Sequence, residues 1–266
     1  MELAGYVDAF EQSVRSLLSV LTTLEERDWS RPTELPGWSV QDVVAHLAAT
    51  ERELLGDPRP ASLPSYGPHV RSAFGRHMED GVQARRGLPP GRLVAELRQA
   101  LEERLPVMRR MRAQDPPVRV PADERWDTEL LLRNRAFDAW MHEQDVRRAV
   151  ARPGNLDGPG AAVTRDLLRG ALPVLVAKRA GARPGQSVTL RVSGPVRFEA
   201  TVVVADNGRA ARAEAPGGAA TATLVADWET VVRLLGGRVS PAEAVVATSG
   251  DVELAGRLVA GLCLTP

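Results

Sequence analysis

The hydrophobic period changes once along the 266 residues, and that change constrains the fold more than any single motif. Leu3, Tyr6, Val7, Phe10, Val14, Leu17, Leu18, Leu21 and Leu24 recur every three or four residues, which predicts an amphipathic helix running to about residue 28. The turn-rich stretch DWSRPTELPGW ends it. Ser39 followed three residues later by Asp42 reads as a capping box, opening a second helix over about 40–55. A Pro- and Ser-rich connection covers 56–68. Further helical patterns follow at about 69–86, 91–113 and 126–151, without a convincing strand among them. Such a run predicts an up-and-down helix bundle over residues 1–152.

Past the loop ARPGNLDGPG (151–160) the pattern differs. One more helical segment spans 161–180. SVTLRVSG, VRFEATVVVAD and ATATLVAD then read as strands, β-branched and partly alternating, with Gly, Asn and Pro between them. DWETVVRLLGG and DVELAGRLVAGL read as helices packed on that sheet. Residues 158–266 are therefore expected to form a small α+β domain, giving an α plus α+β fold class overall.

Thirty-four basic residues balance thirty-four acidic ones, so no long-range field favours nucleic acid or an anionic membrane. No apolar run approaches the roughly 18 residues of a membrane span, and the N-terminus lacks a secretory pattern. Cys263 is the only cysteine, which excludes an internal disulfide and fits a reducing cytoplasm. A monomer or weak homodimer is expected. There is no GxSxG, GxxxxGK[ST], CxxC or HExxH pattern.

The chemistry concentrates in NRAFDAWMHEQDV, residues 134–146. At about 100° per residue, Leu130, Phe137, Trp140 and Met141 share one face, and Arg135, Asp138, His142 and Asp145 gather on the next. Asp138 and His142, four apart, meet at one spot: a metal or acid–base pair if they face a cavity, a solvated ion pair if they do not. His46 lies on the flank of the second helix beside Asp42, Thr50 and Glu53. It is either a hydrogen-bonded histidine at a helix boundary or a side chain looking into a crevice. Together the three would offer a divalent ion two nitrogens and an oxygen, with a coordination position left open. His69 and His77 are not expected to be ligands.

The runs LPGWSVQDVVAHLAATE, RAFDAWMHEQDVRRA and GDVELAGRLVAGL resemble the mycothiol-dependent maleylpyruvate isomerase family, part of a superfamily of DinB-like metal-dependent thiol enzymes. The resemblance spans nearly the whole chain and implies a DinB-like bundle followed by a domain similar to sterol-carrier-protein type 2. It places the metal ligands on His46, Asp138 and His142, with Asp138 one methylene shorter than the family's glutamate. Asp145 would orient His142 from behind. An arginine of the second domain falls on Arg238, with Arg233 and Arg257 as rivals. The implied function is addition of mycothiol's metal-activated thiolate to a small electrophile, as S-transfer or cis–trans isomerisation, with zinc the best-suited ion. The alternative is a non-catalytic protein that binds a small molecule or lipid and keeps a vestigial or structural metal site.

Overall fold

The computed structural model describes residues 1–120, 124–214 and 217–265. The chain divides into two units, Met1–Val163 and Thr164–Pro266. The first consists mainly of helices: α1 (Leu3–Leu21), α2 (Glu26–Trp29), α3 (Val40–Leu54), α4 (Ala73–Gln83), α5 (Pro90–Arg110) and α6 (Thr128–Ala149). The single helix expected up to residue 28 is broken. Thr22 and Thr23 turn their hydroxyls back onto the carbonyls of Ser19 (2.8 Å) and Val20 (2.7 Å). Glu25 then opens α2 through its own capping box with Asp28. Threonine hydroxyls that compete for helix carbonyls are a local stop signal that apolar periodicity does not register. The first unit also contains a two-residue antiparallel pair, β1 (Val118–Arg119) with β2 (Arg125–Trp126), too short to leave an alternating pattern.

Helix α6 packs against α1 and α3, and α3 packs against α4 and α5. Phe10, Leu17, Val43, Leu47, Leu97, Leu101, Leu131 and Trp140 fill the space between them with almost no exposure. A Cβ placed on Gly81 would lie 2.9 Å from the Ala49 Cβ, so α4 approaches α3 as closely as it does only because that position carries no side chain. From Arg135 to Val146 every residue except Asp138 is buried. The polar face of α6 is thus an interior face, and the solvated-edge reading of Asp138 and His142 fails.

Helix α7 (Pro159–Val174) contains Pro173 and continues as a π-helical turn, Leu175–Arg179. The second unit carries a five-stranded sheet of order β5-β4-β3-β6-β7, built from β3 (Ser187–Ser193), β4 (Phe198–Val204), β5 (Ala210–Ala213), β6 (Ala222–Asp227) and β7 (Ala247–Gly250). Strands β3 and β6 are parallel, and the other neighbours are antiparallel. Register sets Leu190 opposite Ala200 and beside Leu224, giving an apolar face. Helices α8 (Trp228–Leu235) and α9 (Val252–Gly261) pack on this sheet. Strands β5 and β7 were not expected. All four residues of β7 are exposed, so backbone pairing rather than side-chain burial defines it.

Candidate metal centre

Two helices and the turn before one of them build the site. The Ser39 hydroxyl caps α3, and Asp42 returns the bond: the Ser39 backbone N–H donates to Asp42 Oδ2 at 2.9 Å. This fixes the start of the helix that carries His46 two turns later. On α6 the four-residue spacing stacks Asp138 and His142. His46 Nε2 lies 3.5 Å from Asp138 Oδ2, and His142 Nε2 lies 3.4 Å from Asp138 Oδ1. The two imidazole centroids are 4.7 Å apart, edge to face. One donor atom from each of the three residues falls within 4.8 Å of the others, the cluster of this kind found among the described residues.

The donor set fits a divalent ion. Ligands about 2.0–2.2 Å from a tetrahedral ion stand roughly 3.3–3.6 Å from one another. Asp138 meets His46 through Oδ2 and His142 through Oδ1 at 3.5 and 3.4 Å, and the three donor atoms together lie within 4.8 Å. Neither ring nitrogen of buried His46 has a hydrogen-bond partner, an expensive state for an imidazole that does nothing else. His142 is oriented from behind, its Nδ1 lying 3.0 Å from Asp145 Oδ2, which leaves Nε2 to face the cluster. Asp145 also accepts from Arg148 at 2.8 Å, and Arg148 reaches Glu34 at 2.7 Å.

Asp138 is steadied by Arg135, whose Nη1 donates to Oδ2 at 3.0 Å. Arg135 in turn donates through Nε to Glu51 Oε1 (2.7 Å), and Arg104 donates to the other oxygen of Glu51 (2.9 Å). Burial favours the neutral carboxyl, yet Arg135 and His142 overcome it and hold Asp138 well below the usual carboxylate range. Burial pushes His46 down, and Asp138 only partly offsets this. For His142 burial also pulls downward, but Asp138 and Asp145 outweigh it and the net shift is upward. The two histidines therefore differ: His46 makes no hydrogen bond and has a single carboxylate near it, Asp138 at 3.5 Å, whereas His142 stands between Asp138 and Asp145.

The remaining expected residues lie elsewhere. His77 is paired with Glu53 at 2.6 Å and His69 sits 3.4 Å from Glu79, so neither joins the cluster. Arg238 belongs to the second unit, in the turn after α8, where its backbone N–H donates to the Arg233 carbonyl at 2.7 Å. Sequence reasoning assigned no role to Glu51, Arg104 or Trp38, and none to Arg135 beyond its face. The indole of Trp38 lies 5.1 Å from the His46 ring and 6.2 Å from that of His142. A tryptophan directly before the helix N-cap was a usable signal. The Glu51–Arg104 pair, 53 residues apart, was not.

Fold and cluster together define a protein whose first unit is a helical bundle with a His–Asp–His group that could hold a metal ion, and whose second is a mixed helix–sheet unit. The chain belongs to the family described as the mycothiol maleylpyruvate isomerase N-terminal domain, whose model matches residues 10–147. It is similar, over 94% of its own length and 93% of theirs, to two crystal structures. One is the mycothiol-dependent maleylpyruvate isomerase (17% identity, TM-score 0.57), and the other is a histidine-to-alanine mutant of that enzyme (16%, 0.58). At such identity the likeness establishes a shared fold. Comparison with curated proteins gives no match.

Proposed function

We propose that this protein is a metal-dependent enzyme that adds the thiolate of mycothiol to a small electrophile, with His46, Asp138 and His142 as the metal ligands. The observation that carries the reading is the buried His46, without a hydrogen bond at either ring nitrogen and beside an aspartate at 3.5 Å and a second histidine ring. A divalent ion held there, zinc by the two-nitrogen, one-oxygen donor set, supplies the positive charge that keeps a thiol ionised near neutral pH, where a free thiol of pKa about 8.5 is mostly protonated.

The chain's own groups prepare that site. Asp145, 3.0 Å from His142 Nδ1, favours the tautomer with its proton there, the one that would offer the Nε2 lone pair to an ion. Arg135 fixes the Asp138 carboxylate and keeps it ionised. The Trp38 indole lies against the His46 ring at 5.1 Å between centroids. Asp138, with 23% of its side chain exposed, keeps the cluster within reach of solvent. Attack on an activated alkene forms a carbon–sulfur bond as the π bond opens. Rotation and expulsion of the thiolate regenerate the alkene as its geometric isomer, whereas protonation of the adduct completes an S-transfer. A cationic arginine of the second unit, Arg238 by resemblance, would steady an anionic group of the acceptor.

The test incubates zinc-loaded protein with mycothiol and a panel of electrophiles, maleylpyruvate included, and follows adducts and isomers by mass spectrometry, alongside His46→Ala and Cys263→Ser. Activity lost in His46→Ala and kept in Cys263→Ser is expected. Activity that survives His46→Ala but vanishes in Cys263→Ser would make the nucleophile the protein's own. A protein inert to every acceptor, yet stabilised by apolar ligands, would point to the non-catalytic binding alternative.

A further inference from the structure

The two histidines of the cluster are not held in the same way. His142 has Asp145 behind it at 3.0 Å, the arrangement by which a ligating imidazole is usually fixed in tautomer and rotation. His46 has no such partner on Nδ1 or Nε2, so no hydrogen bond sets the rotation of its ring. What it does have is Trp38, whose half-buried indole leans against it at 5.1 Å between centroids with a 39° tilt. The indole is itself tethered: Trp38 Nε1 donates to Glu79 Oε2 at 2.8 Å. Glu79, buried on α4, is gripped by Arg86 at 3.2 Å, with His69 Nε2 at 3.4 Å. Arg86 also donates to Asp42 Oδ1 at 2.8 Å, tying this group to the first turn of the helix that bears His46.

We propose that Glu79 and Trp38 are positioning residues for His46, substituting an anchored aromatic face for the hydrogen bond that its ring lacks. The inference rests on the metal-site reading above. In physical terms, a ring without a directional bond turns about its χ2 in a broad well. An indole pinned by a short bond to a buried carboxylate narrows that well by contact. The orientation of one ligand is thus set from a third helix, α4, through the anchored Trp38 indole.

The experiment measures cobalt(II) affinity by competition with a chelator, together with the visible absorption of the bound ion, in the full-length protein and four variants. Loss of an outer-shell partner weakens metal binding about 10–100-fold, and that loss is expected for Glu79→Leu and Trp38→Ala, with an altered cobalt spectrum. Glu79→Gln retains an oxygen that accepts from the indole and should keep affinity and spectrum near those of the parent. Trp38→Phe keeps a ring but lacks the N–H, and should fall toward the weaker end of the same roughly 10–100-fold range. A residue that only stabilised α4 would show neither rescue by glutamine nor a changed spectrum. Parental affinity and spectrum in Glu79→Leu would overturn the proposal, as would equal damage in Glu79→Gln. Should Glu79→Leu fail to fold, Trp38→Phe decides, and parental affinity there overturns it. If the parent binds no cobalt, the metal-site reading fails and this inference falls with it. If the parent binds and the variants match it, only this inference fails.

Discussion

At Asp138 a single carboxylate meets Arg135, His46 and His142, and its charge state follows from those neighbours rather than from solvent. Arg135 is the partner whose loss reaches furthest, because it bonds Asp138 and Glu51 from one buried guanidinium. Replacing it with Met removes the charge, keeps much of the volume and leaves Glu51 with Arg104 alone. Breaking one side of a buried ionic group costs about 3–5 kcal/mol, so Arg135→Met should lower the urea midpoint by a corresponding amount. A change below about 1 kcal/mol, the worth of an exposed pair, would show that the triad is solvated in solution. His142→Ala tests the cluster itself. Metal content by elemental analysis should drop from one ion per chain to none, and an unchanged stoichiometry would remove His142 from the ligand set.

At the level of elements, helix starts carry much of the local definition: Ser39, Asp127, Asp227 and Asp251 each accept from a backbone N–H in the first turn of the helix that follows. Asp227, the last residue of β6 and the N-cap of α8, accepts from the Thr230 N–H at 2.9 Å and from its hydroxyl at 2.7 Å. Burial alone would raise its pKa, but these bonds outweigh it and the net shift is downward from the ordinary 3.8. A carboxyl whose folded pKa is depressed contributes stability that is present above the unfolded value and is lost as pH falls through the folded one. Asp227→Ala should therefore cost about 1 kcal/mol at neutral pH. That difference should shrink on acidification below 3.8, as read from thermal midpoints of parent and variant across pH. A difference that stays constant with pH would mean the charge of the cap is irrelevant.

On the scale of the whole molecule, an ion bound by folded helices and not by the unfolded chain must raise stability by mass action. At about 1,000 times the dissociation constant the gain is about 4 kcal/mol. Zinc should raise the melting temperature and a strong chelator should reverse it, while His46→Ala should respond to neither. Arg238→Ala tests the role proposed for that arginine: metal content should stay as in the parent and turnover should fall. A loss of metal in that variant would contradict the proposal.

The sequence by itself determined the elements and the cast. A 3.6-residue period in the first half, β-branched alternation in the second and the Ser39–Asp42 cap are local properties, readable because side-chain direction repeats with backbone geometry. His46, Asp138 and His142 were legible through four-residue spacing and family resemblance. Local signals failed where backbone pairing needs no burial, as in β7, and where threonine hydroxyls stop α1. Only the tertiary structure decided that the polar face of α6 is interior. It also decided that Glu51 joins Arg104 to Arg135, that Glu79 holds Trp38, and that Trp38 leans on His46. Those contacts join residues distant in the chain, and no periodicity encodes them. They exist because a buried charge must find its counter-charge wherever the packing of helices delivers one.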